Sequence, residues 1–322
     1  VNFKYLAEAL NSTEFDLYFV NYHGKEPVIY ADLNGYAGVN LVALATALGG
    51  INPTTLTAAG GLVTVDLLGN VRAKREYAEN IRMLGASFNT ALGKASVFGE
   101  ISYRPNMPIG ISATNDLVYD MAAQGARMAD TSGLVGDGRA LLAGQWVERS
   151  GGVHNYERVE MYNGSLGSIY NFGPMLGFNA VTGVAELASE HIRGSSLKYQ
   201  AQDGTTRHYA GRGNTAYIDD GLRDDQINRN AYGYTLVLSG TWNDAFAGVN
   251  VSPYLVYKDD FEGNSHMTGN FVEGRKAYTL GLRGNYSQRL EAELQYTEFW
   301  GGGQNNKMRD RDNIGINIKY SF

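Results

Sequence analysis

The last ten residues, NIGINIKYSF, alternate without a break. Ile314, Ile316, Ile318, Tyr320 and Phe322 share one parity, while Asn313, Gly315, Asn317, Lys319 and Ser321 share the other. Successive side chains of an extended chain point to opposite faces, so the segment has one apolar and one polar face. Its length is about that of a tilted strand crossing a bilayer. The pattern recurs upstream. Leu290, Ala292, Leu294 and Tyr296 oppose Arg289, Glu291, Glu293 and Gln295; Tyr278, Leu280, Leu282 and Tyr286 oppose Thr279 and Arg283. Val249, Val251, Pro253, Leu255 and Tyr257 alternate with Asn250, Ser252 and Lys258, and Tyr232, Tyr234, Leu236, Leu238 and Trp242 with Thr235, Ser239 and Thr241. Less regular strands are expected near 177–192, 156–172, 94–104, 80–91, 14–22 and 1–10. A soluble barrel of this size would fill its interior with Val, Ile and Leu, whereas here the second face is charged. The fold class expected is therefore all-β, a transmembrane antiparallel β-barrel of about eleven strands or more, with short helices in long loops.

The connections alternate in length. Short turns are expected near Asn11–Glu14, Leu92–Lys94, Phe172–Leu176, Trp242–Gly248 and Asn285–Gln288, and long loops over 23–79, 105–155, 193–230, 259–270 and 301–311. Short periplasmic turns and long extracellular loops are the usual arrangement of outer-membrane barrels. That puts the C-terminus on the periplasmic side. Eleven strands would then put Val1 outside, against the even strand number of single-chain bacterial barrels, so further strands N-terminal to Val1 are expected.

Composition agrees with this reading. Gly is high at 41, Tyr at 22, and Pro low at 6 among 322 residues; glycine serves at barrel bends and tyrosine at lipid–water boundaries. Mean hydropathy is −0.28, since the two faces of a strand average out. No run of about 18 apolar residues marks a membrane helix. Cysteine is absent, which excludes disulfides and thiolate metal sites. A net charge of −6 argues against a nucleic-acid partner.

Several segments match a known family, the proteobacterial outer-membrane family catalogued as domain of unknown function 1302. They are YLAEALNSTEFDLYFVNYH near 5–23, IRMLGASFNTAL at 81–92, SVFGEISYRPNMPI at 96–109, FAGVNVSPYLVYKDD at 246–260, GNFVEGRKAYTLGL at 269–282 and the terminal RDRDNIGINIKYSF. The sequence resembles this family over its whole length. Family members carry a long further N-terminal portion, so the chain looks like a C-terminal portion. The resemblance implies an outer-membrane location, a large barrel distantly similar to long-chain fatty-acid channels, grouping with exporters of hydrophobic compounds, and a periplasmic companion protein. It supplies no catalytic residue and no cofactor. Phe322 resembles the aromatic terminal signal read by barrel-assembly machinery.

Four constellations remain. The apolar stretch from Tyr36 to Leu68 offers Leu41, Val42, Leu44 and Leu48 as a helical segment broken at Gly49, Gly50 and Pro53. It reads equally as a plug or lid presenting a greasy surface to ligand, or as a loop packed against the inner wall. Leu117, Val118, Met121 and Met128 recur at helical spacing beside Asp116, Asp120 and Asp130, with Thr114 or Asn115 as a cap. This adaptable apolar surface reads first as helix packing and second as a binding face. Asp219, Asp220, Asp224 and Asp225 lack calcium-loop spacing; they and Asp259, Asp260 and Glu262 read as solvated, cation-bridged loops among lipopolysaccharide phosphates. His23, His154, His191, His208 and His266 are scattered, and no GxSxG, P-loop or dinucleotide motif appears.

The function expected is a passive channel or transporter for hydrophobic or amphipathic small molecules. Arg283, Arg289, Glu291, Glu293 and Lys319 would line the lumen, and the apolar loops would handle the ligand. A scaffolding barrel with a filled lumen is the alternative, and an outer-membrane lipid hydrolase comes third. Lipid and lipopolysaccharide, the assembly machinery and the periplasmic companion are the expected partners; no metal or cofactor is expected.

Overall fold

A computed structural model describes residues 1–111, 117–193, 197–208, 227–266 and 270–322. Eleven strands form one antiparallel sheet, each paired with its neighbour in the order of the chain. They are β1 (Asn2–Ala7), β2 (Thr13–Tyr22), β5 (Ile81–Leu92), β6 (Ala95–Gly110), β10 (Tyr156–Met175), β11 (Phe178–Arg193), β14 (Asn230–Phe246), β15 (Val249–Glu262), β16 (Arg275–Tyr286), β17 (Leu290–Trp300) and β18 (Asn313–Tyr320). β1 and β18 are its two edges and do not pair with each other, so the sheet is not closed. The insertions carry β3 (Val28–Asp32), α1 (Leu41–Ala47), α2 (Pro53–Asn70), β4 (Arg72–Glu76), α3 (Tyr119–Ala123), α4 (Gly125–Ala129), β7 (Arg139–Leu142), β8 (Gln145–Glu148), β9 (Gly152–His154), β12 (Lys198–Gln200) and β13 (Thr206–His208).

Every strand expected from alternation is present, and five tight turns join them at one end. Leu176 and Gly177, Ala247 and Gly248, and Ser287 and Gln288 all have positive φ, the backbone that lets a two-residue turn match the twist of its strands. The long insertions gather at the other end.

Register unites the strands into two faces. Ile316 lies opposite Leu294, Leu294 opposite Leu282, Leu282 opposite Pro253 and Leu238 opposite Leu255. Farther along, Leu166 lies opposite Leu187 and Gly99, and Ala86 opposite Ile101 and Leu17. This face stays exposed: Ile314, Ile316 and Ile318 are 71%, 74% and 68% accessible. The opposite face pairs Arg283 with Glu293, Glu291 with Lys319 and Asn163 with Ser102.

β6 departs from expectation. It runs on to Gly110, so the insertion expected over 105–155 begins after the strand, even though Pro105 and Pro108 fall within it. Beyond Tyr103 the strand has lost β5 as a partner and pairs only with β10, and an edge tolerates proline's missing N–H. A register shift between Val159 and Met161 accompanies Pro105. One extra residue reverses the parity of the rest of the strand. Met107 therefore joins Met161 and Arg104 on the polar side of the sheet, where alternation alone would turn it outward.

The apolar core lies mainly in the insertions. Leu33, Leu41, Val63, Leu67, Met121, Met128, Leu142 and Val147 bury against one another. α2 begins at Asn52, whose side chain caps the amides of Thr54 and Thr55, with Pro53 at its first position. A second cluster forms on the polar side of the sheet near its loop end, where Leu197 and Ile227 cover Ile109, Val159, Met161 and Ile192.

Candidate functional site

The charged face is a hydrogen-bonded lattice. Arg283 donates through Nη2 to Oε1 of Glu293 at 2.9 Å, and the Tyr254 hydroxyl donates to the same oxygen at 2.8 Å. The Arg283 Nε lies 3.6 Å from Glu291, which faces Lys319 in register. Tyr254 can lie across the sheet because Gly281 is opposite; a Cβ there would meet the ring at 2.1 Å. Gly85 does the same for Tyr18, whose hydroxyl reaches Glu100. Arg283, Glu291, Glu293 and Lys319 thus share one face, as alternation requires. Arg289 sits in the turn before β17, with its carbonyl accepting from Ser321 N, because the turn closes on it before the strand starts.

At the loop end this face borders a cavity of about 920 Å³. Its floor is Glu100, Ser102, Arg104, Met107, Pro108, Met161, Asn163 and Glu190 from β6, β10 and β11; its roof is the segment 24–29 with Ile111, and His266 and Asn270 complete the lining. Arg104 is fixed by Tyr22 Oη at 3.1 Å, Ser102 Oγ at 3.2 Å and Asn163 Oδ1 at 2.6 Å. Alternation along single strands does not reveal this site. Arg104 carries a signal, its shared parity with Glu100 and Ser102, but the roof comes from residues far away in the chain.

The insertions form a cap held by two buried carboxylates. Asp130 accepts from Leu41 N at 3.2 Å, Ser132 N at 2.8 Å, Ser132 Oγ at 2.6 Å and Val135 N at 3.0 Å. Burial pushes its carboxyl up, but these bonds to the anion prevail and hold it at about 2. Asp120 pairs with Arg207 at 3.0 Å, both side chains almost wholly buried, and thereby ties α3 to β13. Burial raises the Asp120 carboxyl above its ordinary value, with the Ala143 amide and Arg207 opposing.

Both apolar insertions form helix. Leu41, Leu117 and Met121 are buried in the cap, Val42 and Leu44 are half-buried, and Leu48 is exposed. The methionine stripe is two short helices, α3 and α4, rather than one, and Met121 and Met128 fill the core as packing. These side chains close on one another, not on the sheet, because each insertion supplies the other's apolar partner. Thr114, Asn115, Asp116, Asp219, Asp220, Asp224 and Asp225 lie outside the described residues. His154 contacts Glu76 at 2.5 Å, His191 contacts Asn230 at 2.5 Å, and His23 accepts from Asn80 N.

Aromatic residues gather on the apolar face in two rows. Near the loops, Tyr103 stacks on Tyr162, and Tyr278 meets Trp300 and Tyr296. Near the turns, Phe178 stacks on Trp242, and Tyr170 meets Phe172. No curated protein matches the chain. The family model for proteins of unknown function, DUF1302, matches residues 1–322 in full, and the chain belongs to that family.

Proposed function

We propose that the sheet is the wall of an outer-membrane β-barrel and that the chain is a passive channel or transporter for hydrophobic or amphipathic small molecules. The observation that carries this is the spacing of the two aromatic rows. Tyr162 and Tyr170 on β10, Tyr234 and Trp242 on β14, and Tyr278 and Tyr286 on β16 each stand eight residues apart on the apolar face. Eight residues span about 27 Å along a strand. Tilted by about 40°, that is roughly 20 Å, close to the height of a barrel's apolar band between its girdles. Leu166, Leu236, Leu238, Leu280 and Leu282, with glycine and serine, fill the interval, and the opposite face is charged.

Closure is required by the same physics. An open sheet edge in hydrocarbon would leave N–H and C=O groups unsatisfied, so β1 and β18 require partners in a membrane. The long insertions then face outward, with the tyrosine row beneath them against lipid and lipopolysaccharide, and the short turns face the periplasm and a companion protein. The polar lattice around Arg283 and Glu293 gives a wet lumen, and the cap with its adjoining cavity narrows the mouth. No side chain is assigned a catalytic step.

Single-tryptophan variants in liposomes containing brominated lipid test the wall. Trp242 and Trp300 should be quenched and Trp146, in the cap, should not. Equal quenching of all three, or none, would remove the membrane reading. Flux of an apolar dye through proteoliposomes then separates a channel from a filled scaffold.

A further inference from the structure

We infer that the cavity beneath segment 24–29 binds an amphipathic organic monoanion, its head on the Arg104 guanidinium and its apolar body against Met107, Ile111 and Met161, an inference that rests on the solute pathway proposed above. Arg104 is oriented by three acceptors, the Tyr22 hydroxyl, Ser102 Oγ and Asn163 Oδ1, and all three are neutral. Among the described residues no carboxylate lies within ion-pair distance of it. Those bonds use Nε and Nη1 and leave Nη2 for a ligand. At hydrogen-bond distance the Arg104 charge meets only neutral acceptors and is left open to an anion in direct contact, and guanidinium binds carboxylate in a directed, charge-assisted way.

Two carboxylates also line the cavity, and they limit the charge of the ligand. Glu100 receives the Tyr18 hydroxyl, and Glu190, 3% exposed, lies opposite Asn163 in register. A second negative charge on a ligand would be repelled by both. Lys25 and Glu26 lie exposed in the roof segment and offset each other. The apolar side is specific too, because it exists through the parity reversal at Pro105 that turns Met107 onto Met161. At about 920 Å³ the space is within the range of small-molecule sites.

The test compares dodecanoate with dodecyltrimethylammonium, which share a chain and differ in head charge. Binding to the full chain in nanodiscs is measured by calorimetry against empty nanodiscs. Dodecanoate should bind about tenfold to a hundredfold more tightly, the range expected for a charge-assisted bond. Arg104→Gln should abolish that preference and Arg104→Lys should retain most of it. Equal binding to the wild type, or a preference that survives Arg104→Gln, would overturn the assignment. If Arg104→Gln does not fold, Met107→Trp, which crowds the apolar side, should weaken dodecanoate about tenfold; unchanged binding would place the ligand elsewhere. Arg104-dependent binding without proteoliposome flux would keep this site and remove the channel. Flux of apolar dye with no Arg104-dependent binding would do the reverse.

Discussion

Asp130 should be the weak point of the cap toward acid. Its carboxylate joins the start of α1 at Leu41 to the loop over Ser132 and Val135, and it is 2% exposed. Its folded value of about 2 lies below the ordinary 3.8. A depressed carboxyl stabilises the fold at pH values above its unfolded value, and that stabilisation disappears as pH falls through the folded one. The difference corresponds to about 2 kcal/mol. That is less than four bonds to a charged acceptor would give in isolation, because burial opposes them. Asp130→Asn should therefore cost the cap about 2 kcal/mol at pH 7, since an amide keeps one acceptor and gains donors where donors already point. Hydrogen exchange followed by mass spectrometry reads this directly. Protection of the peptides covering 39–45 and 130–136 should fall in the variant at pH 7, while peptides from β14 to β18 stay unchanged. In the wild type the same peptides should lose protection between about pH 4 and pH 2. Undiminished protection in Asp130→Asn, or loss centred well above pH 4, would show that the carboxylate does not hold these segments.

Arg207→Met should destabilise the cap by about 3–5 kcal/mol by leaving Asp120 buried without its partner, and Asp120→Leu with Arg207→Met should recover most of that in thermal unfolding. If the sheet is a membrane wall as proposed, Ile316→Arg should lower its stability in lipid by about 2–4 kcal/mol at mid-membrane, whereas Asn317→Arg on the other face should change it little; equal effects in urea titration would contradict the assignment of faces. If the proposed membrane reading holds, deleting Phe322 should reduce the amount inserted in cells while costing the folded sheet at most about 1–3 kcal/mol, the value of a buried ring, since this one is exposed beside Tyr320. Membrane fractionation against in vitro refolding separates the two, and unchanged insertion would show that this residue is not read.

What the sequence determined by itself was the sheet. Alternation is a local property: once Ile314, Ile316 and Ile318 are extended they share a face, whatever lies elsewhere. The same holds for Tyr278, Leu280 and Leu282, and for Arg283 opposite them. Eleven strands, their order and the end that carries the short turns are set by that pattern and by turn residues such as Gly177 and Gly248. Helix over 41–48 was legible as well, but α2 beyond the break at Pro53 was not, nor was the partner that buries both, because a lone apolar loop has no visible partner. Tertiary structure decided that Leu41 and Val63 meet Met121 and Met128, that Asp130 binds the amide of Leu41 eighty-nine residues away, and that Asp120 finds Arg207. It also decided the cavity. The bulge at Pro105 reverses parity by a single residue, and segment 24–29 closes over Arg104 from another strand connection. Contacts between residues distant in the chain leave no period in the sequence, so only the folded chain reveals them.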